Sequence, residues 1–253
     1  MKISSRLQQI ADRLPEGCRL ADIGSDHALL PVSAVRSGRV SFAVAGEVSD
    51  GPFDAARRQV AEAGEGHRIS VRKGNGLEVI TAGEVDTITI AGMGGALIVS
   101  ILTAGEDKLV GVKRLVLQPN VAEELVRRYL LDRGWFLSEE VILEEDGKIY
   151  EILTADARPD AAQLNEELYR ERTLPGGDTK LSKELLLELG PRLTSAPNDV
   201  FFRKWESELR KLDRIRKSIA TSSLESSREK EEEVGRVYAQ LEEVLTCLQK
   251  DKQ

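Results

Sequence analysis

Cysteine, histidine and long apolar runs are all scarce in this 253-residue chain, and each scarcity excludes a class of protein. The two cysteines, Cys18 and Cys247, lie far apart and form no CxxC. They give neither a disulfide framework nor a zinc site, and they suit a reducing, cytoplasmic compartment. Both read best as small buried hydrophobes. The two histidines, His27 and His67, have no cysteine or second histidine near them in sequence, so no metal is expected. No stretch reaches the roughly 18 apolar residues of a membrane span. The first residues carry no apolar signal-peptide core, so no membrane partner is expected. Positive charge is in deficit too: 36 Lys and Arg against 43 Asp and Glu leave a net charge of −7. That weighs mildly against a nucleic-acid partner unless basic residues cluster on one face. There is no G-x-S-x-G elbow and no Walker A loop, which removes support for hydrolase and NTPase readings.

What is present is a run of βα alternation. Ile3, Leu7, Ile10, Ala11 and Leu14 form one apolar stripe of a helix over 3–14. Strands are expected at 18–23, 40–45, 68–72, 85–91 and 113–117. Helices are expected between and after them at 28–37, 54–63, 96–102 and 121–132. Two further strands, 135–144 and 148–155, flank Asp146-Gly147, a strong hairpin signal. The expected class is α/β: a parallel Rossmann-like sheet closed by a terminal antiparallel hairpin. That hairpin separates it from a plain dinucleotide-binding domain.

After residue 157 the pattern turns helical, so a domain at 1–157 and an extension at 158–253 are expected. Helices are read at 161–172 and 181–189. Two long apolar stripes follow, Phe202, Trp205, Leu209, Leu212, Ile215 and Ile219, then Val234, Val237, Leu241, Val244 and Leu248. They predict an antiparallel coiled coil turning around Ser222-Ser223 to Ser226-Ser227. Residues 203–217 hold seven cations against three anions, or +4; residues 225–243 hold three against seven, or −4. Mutual neutralisation of the two arms is slightly favoured over a phosphate-binding arm.

In an open α/β sheet, ligands bind at the carboxyl ends of the strands. Five loops meet that edge, and their convergence is the strongest signal in the chain. The first holds Asp22, Gly24, Ser25, Asp26 and His27. No GxGxxG follows, because Asp26 and Ala28 stand where further glycines would be. Asp26 would repel a pyrophosphate. It suits a positively charged ligand such as S-adenosylmethionine, with helix capping as its other role. Glu47 ends the second strand and can accept from ribose hydroxyls. Asn75 and Gly76 follow the third strand, where an amide can pair with the amine of adenine or simply make a turn. Ala91-Gly92-Met93-Gly94-Gly95 follows the fourth, and its glycines admit ligands close to backbone. Gln118 and Asn120 end the fifth.

These stretches, Ala21–Pro31, Ala45–Val60, Gly74–Ile80, Ile88–Ile98, Leu115–Asn120 and Glu144–Leu153, resemble a bacterial family of tRNA adenine-22 N1-methyltransferases. The likeness covers about residues 3–155 closely and Leu189–Trp205 loosely. It implies a class I methyltransferase fold, S-adenosyl-L-methionine as donor and N1 of a tRNA adenine as acceptor. Asn75 stands where many methyltransferases have Asp, and its amide oxygen still serves the adenine amine. N1 carries a free lone pair, so placement rather than a strong base should drive transfer, and the base must leave its stack. Asp26, Gln118 and Asn120 are the expected catalytic acceptors around N6 and N1. Asp22, Gly24, Ser25, Asp26, His27, Glu47, Asn75, Gly76, Ala91, Gly92 and Met93 are expected to hold the cofactor. Arg6, Arg13, Gly94, Gly95, Arg203 and Lys204 are expected to meet the tRNA, and the enzyme is expected to act as a monomer. A nicotinamide oxidoreductase, an inactive binding module and a protein methyltransferase are the competing readings.

Overall fold

The structure is a computed structural model that describes residues 3–174, 179–220 and 225–251. The chain divides into two compact units, Met1–Glu167 and Leu168–Gln253.

The first unit opens with α1 (Ser5–Asp12), capped where Ser4 Oγ accepts from the Leu7 amide at 3.2 Å. Alternation follows through β1 (Cys18–Ile23), α2 (Leu29–Arg36), β2 (Val40–Glu47), α3 (Asp50–Glu62) and β3 (Ile69–Lys73). It continues through β4 (Thr87–Met93), α4 (Gly95–Ala104), β5 (Arg114–Pro119) and α5 (Glu123–Asp132). The hairpin β6 (Phe136–Glu145) and β7 (Lys148–Asp156) and then α6 (Ala161–Leu168) complete it. Seven strands lie in the order β3-β2-β1-β4-β5-β7-β6. The first five are parallel, while β7 runs antiparallel to both β5 and β6. Leu20, Ile88, Ile90, Leu115 and Leu117 are fully buried, as expected of a sheet covered on both faces. Asp146 and Gly147 both take positive φ, 51° and 71°, the backbone a two-residue hairpin turn requires.

Three features depart from expectation. Helix α3 begins at Asp50 rather than 54, because Pro52 falls in its first turn, where no intrahelical amide is needed. The first unit runs ten residues beyond 157, since α6 belongs to it: Asn165 Nδ2 donates to the Trp135 carbonyl at 2.9 Å. Helix 161–172 stops at Leu168, and Arg172–Thr173 (β8) pairs instead with Lys180–Leu181 (β9). Non-local pairing overrides helical spacing there.

A buried ion network ties α5 to the hairpin. Arg127 Nε meets Glu140 Oε1 at 2.6 Å, Arg127 also pairs with Glu151, and all three side chains are buried. Removing one member would leave a buried charge uncompensated.

In the second unit, α7 (Lys183–Leu189) is capped by Ser182 and ended by Gly190 at φ 92°. Then come α8 (Asp199–Ala220) and α9 (Glu225–Asp251). Arg216 lies over the Tyr238 ring at 5.5 Å, and Gln249 Nε2 reaches Glu206 at 3.5 Å. Rising positions on one helix thus meet falling positions on the other, which makes the pair antiparallel. Ser222 and Ser223 of the expected turn lie outside the described residues, and Ser226 and Ser227 belong to α9. Phe201, Phe202, Trp205, Leu241, Val244 and Leu248 are buried, while Ile215 and Val237 are exposed. The described ion pairs of α8 join Lys211 to Glu208, and Arg216 and Lys217 to Asp213, all neighbours on one helix. They are not the inter-arm pairs expected from the opposed charges, because residues three and four apart are already in reach.

The loop after β3 is pinned by Arg72, whose guanidinium grips Glu84 at 2.6 and 2.9 Å and the Val79 carbonyl at 2.9 Å. The Arg72 hydrogen bonds hold the Glu84 carboxyl down at about 2, below its ordinary 4.5. A depressed folded value gives stabilisation that is full above the ordinary value and is lost as pH falls through the folded one. Glu84→Gln should therefore cost about 1 kcal/mol or less near neutral pH. The gap from wild type should close as pH falls from 4.5 toward about 2. Urea melts of both proteins across that range check this, and a gap independent of pH would assign the loss to packing.

Candidate functional site

The strand order reverses direction at β1 and β4, and the crevice above their carboxyl ends is the switch point where α/β sheets take ligands. Two carboxylates sit there, at the ends of β1 and β2. Asp22 is 4% exposed and points inward: Ser25 Oγ and Thr89 Oγ1 each donate to it at 2.5 Å. Burial pushes its carboxyl up, and the Ser25 and Thr89 hydroxyls pull it back. Asp22 and Ser25 therefore brace the loop from beneath, where the sequence reading gave them direct cofactor contact. Glu47 accepts from the Asp26 amide at 2.5 Å through Oε1. Burial raises its carboxyl as well, and the neighbouring charges of Asp22 and Asp26 add to this.

The loop itself is strained. Asp26, His27 and Ala28 take φ of 41°, 67° and 55°. Three consecutive left-handed non-glycine residues cost on the order of 1 kcal/mol each. The Glu47 bond to Asp26 N, and bonds from the Gly24 and Ser25 amides to the Gly46 carbonyl, hold them. Ala28, not Asp26, occupies the N-cap of α2, so the capping role read for Asp26 is not the one observed. The Asp26 and His27 side chains stay exposed, with Nε2 and Oδ1 at 3.6 Å.

Met93 lies across Gly24, so closely that a Cβ there would collide with Met93 Cε. Gly92, at φ 78°, forms an irregularity where the β4–β5 register shifts between Ala91 and Met93. Bulges of this kind commonly re-aim groups beside active sites. Here the Gly92 amide turns to donate to Gln118 Oε1 at 3.1 Å. The same oxygen accepts from Arg6 Nη1 at 2.6 Å. Gln118 Nε2 donates to the Pro119 carbonyl at 2.8 Å and to Asn120 Oδ1 at 3.0 Å. Gln118 is fully buried with its amide saturated, so it cannot also touch a substrate base, as the sequence reading had it. Asn120 is exposed at the rim, its amide held by the Met93 carbonyl at 2.8 Å.

Arg6, from α1, joins this edge and stacks on Tyr150 at 5.3 Å. Tyr150 was missed by sequence reasoning, since a Tyr in a hairpin strand reads as packing. Arg13 stands at the opposite end of α1. It pairs with Glu139 at 2.6 Å, near the start of β6, and its side chain is 9% exposed. That placement removes it from the crevice. Gly95 is also withdrawn: it is buried, its amide donates to the Val121 carbonyl at 2.8 Å, and a Cβ there would strike the Ala122 carbonyl oxygen. Its small size serves packing, not ligand approach. Gly94 stays partly open.

Asn75 and Gly76 border a pocket whose far wall is α4, through Leu97, Ser100 and Ile101. Asn75 is exposed, and its backbone N–H donates to Glu78 Oε2 at 3.2 Å. In the second unit Arg203 is exposed and Lys204 lies 5.4 Å from the Trp205 ring. Among the described residues, no group of three or more His, Cys, Asp or Glu could hold a metal ion, and no helix is long and apolar enough to cross a membrane.

A Rossmann-like sheet with a reversed terminal hairpin, an acidic switch point and no glycine-rich pyrophosphate loop defines a class I methyltransferase fold. The comparisons with known proteins narrow this. Residues 20–243 match the family model of TrmK, tRNA (adenine(22)-N(1))-methyltransferase. A tRNA (adenine(22)-N(1))-methyltransferase of Bacillus subtilis is 45% identical over 97% of this chain and 98% of its own. The crystal structure of the B. subtilis m1A22 tRNA methyltransferase TrmK superposes with a TM-score of 0.85 at 44% identity, covering 96% of this chain and 99% of that one. Sp1610 of Streptococcus pneumoniae, solved with S-adenosyl-L-methionine, superposes at 0.78 and 36% identity, over 96% of this chain and all of its own. This chain belongs to the tRNA (adenine(22)-N(1))-methyltransferase family.

The two glycines of the β4 loop make a direct test of the packing argument. Gly95→Ala should destabilise by about 1–3 kcal/mol, the usual cost of overpacking. Gly94→Ala, whose Cβ would lie 3.7 Å from Val121, should melt close to wild type. Equal melting temperatures for the two would refute the packing role.

Proposed function

We infer that the crevice transfers the methyl group of S-adenosyl-L-methionine to N1 of adenine 22 in tRNA, with Asp26, His27, Glu47 and Asn75 serving the donor, Asp22 and Ser25 bracing their loop, and the β4–β5 edge serving the acceptor. The observation that carries this division is the asymmetry of the crevice. Its β1–β2 side is acidic, with Glu47 and the exposed Asp26 suited to a cation and to ribose hydroxyls. Its β5 side is the amide system of Gln118 and Asn120, anchored by the Arg6 guanidinium. The adenine of the cofactor would enter the pocket lined by Leu77, Leu97, Ser100 and Ile101 beside Asn75, and the Asn75 side-chain amide can pair with its exocyclic amine.

The chemistry needs little from the acceptor side. Adenine N1 is already a free nucleophile at neutral pH, and an in-line displacement on the sulfonium gives a neutral thioether and a cationic base. Rate then comes from alignment and exclusion of water. An amide edge suits that task, since it holds a base without competing for the methyl group. Asp26 is placed to face the positive charge of the donor, and His27 shares its strained turn. Ala91, Gly92 and Met93 would close over the donor from the β4 side.

For the tRNA itself, the second unit offers cations. Arg210 and Arg214 are exposed, one turn apart, and have no acidic partner among the described residues. With Arg203 and Lys204 nearby in sequence, they make α8 a phosphate-facing arm despite the net charge of −7. Among the basic residues outside that arm, Arg6 belongs to the acceptor edge. The scarcity of cysteine and the burial of Cys18 favour a cytoplasmic home.

Incubation with labelled S-adenosylmethionine and two tRNA transcripts, one with adenine and one with guanine at position 22, tests the reading. Label should enter only the first, and Asp26→Ala should lose most of that transfer while keeping its melting temperature. Label in the guanine transcript would overturn the site assignment. Arg210→Ala/Arg214→Ala should weaken tRNA binding and flatten its salt dependence by up to two phosphate contacts, while cofactor affinity holds. An unchanged salt slope would remove α8 from the tRNA surface.

A further inference from the structure

The hydrogen bonds at the β5 edge determine which end of the Asn120 side chain faces outward. The oxygen and nitrogen of an amide look alike, and only their partners tell them apart. Here the chain of partners begins with groups that can only donate. The Arg6 guanidinium has no acceptor, and neither has the Gly92 backbone amide. Both bond the same atom of Gln118, at 2.6 and 3.1 Å, so that atom is Oε1. The other end of Gln118 is therefore its amine, which faces the Pro119 carbonyl at 2.8 Å and Asn120 at 3.0 Å. The Pro119 carbonyl can only accept, which agrees. The Asn120 atom facing Gln118 must then accept as well, so it is Oδ1. Asn120 Nδ2 is left as a pair of donors, and Oδ1 keeps one lone pair in reserve.

A fixed amide with an acceptor and a donor side by side matches one edge of adenine. The Hoogsteen edge offers the N6 amine as donor and N7 as acceptor, the pairing by which Asn reads adenine in nucleic acids. Guanine offers two acceptors there, O6 and N7, and would meet Oδ1 with its oxygen. We propose that Asn120 grips the target adenine by its N6 and N7 atoms, leaving N1 on the free edge, and that Arg6 and Gln118 are positioning residues that lock the amide in the required sense. This rests on the adenine-N1 reading above and adds to it the edge by which the base is held. It also separates the roles of the three residues: Asn120 meets the base, while Gln118 and Arg6 act through it. The stack of Arg6 on Tyr150 serves the same end, because it fixes the guanidinium from its other face.

The probe is a ligated tRNA carrying 7-deazaadenosine at position 22 alone, which replaces N7 by C–H and leaves N1 and N6 in place. Wild-type enzyme should methylate it at least tenfold less efficiently, in kcat/KM, than the unmodified tRNA, the loss expected for half of a bidentate base contact. Asn120→Ala should be slower on the unmodified tRNA and indifferent to the 7-deaza change. Gln118→Glu keeps the acceptor for Arg6 and Gly92 but cannot donate to Asn120. It should also lose the N7 dependence, with affinity for S-adenosylmethionine unchanged by calorimetry. Equal efficiency of the wild-type enzyme on both tRNAs would overturn the proposal, as would undiminished N7 dependence in Asn120→Ala. Because the unmodified tRNA is assayed alongside, failure of the adenine-N1 reading itself would appear separately, as absence of methylation there.

Discussion

The buried carboxylate of Asp22 is the point from which the site is built. A carboxylate enclosed by protein loses most of its hydration, and only hydrogen bonds from its surroundings offset that loss. Here they come from Ser25, on the loop that follows β1, and from Thr89, on the neighbouring strand β4. One side chain thus joins the two strands that flank the switch point. It also sets the height at which the next residues leave the sheet. Above it, Glu47 holds the Asp26 amide, and Asp26, His27 and Ala28 follow in left-handed conformations. The loop resists relaxing because its Ser25 and Asp26 are tied to two buried carboxylates, Asp22 and Glu47. Strain of this kind is retained where it positions something, and what it positions here is the exposed Asp26.

The two halves of the crevice are organised by different means. The donor half uses charge and backbone shape. The β5 half uses saturation: every hydrogen-bonding position of Gln118 is filled, so its amide is held in one sense and presents a donor to Asn120. A fully satisfied buried network specifies a single arrangement, whereas a partly satisfied one would leave several of similar energy. The irregularity at Gly92 is what turns a β4 amide toward Gln118, and α1 supplies the Arg6 that completes it. An N-terminal helix outside the βα alternation therefore contributes directly to the reactive edge.

Much of this fold was legible in the sequence, and the reasons are local. β1 was placed to the residue because Pro15-Glu16-Gly17 and Gly24 bound an apolar run. The hairpin was placed because Asp-Gly supplies the positive φ that a tight turn demands. The loops of the crevice followed from the rule for strand ends. What escaped notice was non-local. Gly95 reads as a ligand glycine until the Ala122 carbonyl is seen against it. Arg6 and Arg13 lie on one helix, seven residues apart, yet only the packing of that helix along the sheet sends one to the crevice and the other to Glu139. β8 and β9 are two residues each, too short for any alternation to register. Three left-handed residues in a row cannot be read from Asp-His-Ala, since none of them is glycine.

An overall charge of −7 would by itself repel a polyanion, yet the interaction that matters is screened within about 10 Å at moderate salt. At that range the local pattern governs, not the sum. On α8, Glu208 and Asp213 are already occupied by Lys211, Arg216 and Lys217. Three cations are thereby partly neutralised on their own helix, whereas Arg210 and Arg214 have no acidic partner among the described residues. Asp22 and Glu47, by contrast, are buried at the ends of β1 and β2. Buried acid at the strand ends and exposed base on α8 are thus separated in the sequence, so the net charge of −7 describes neither segment.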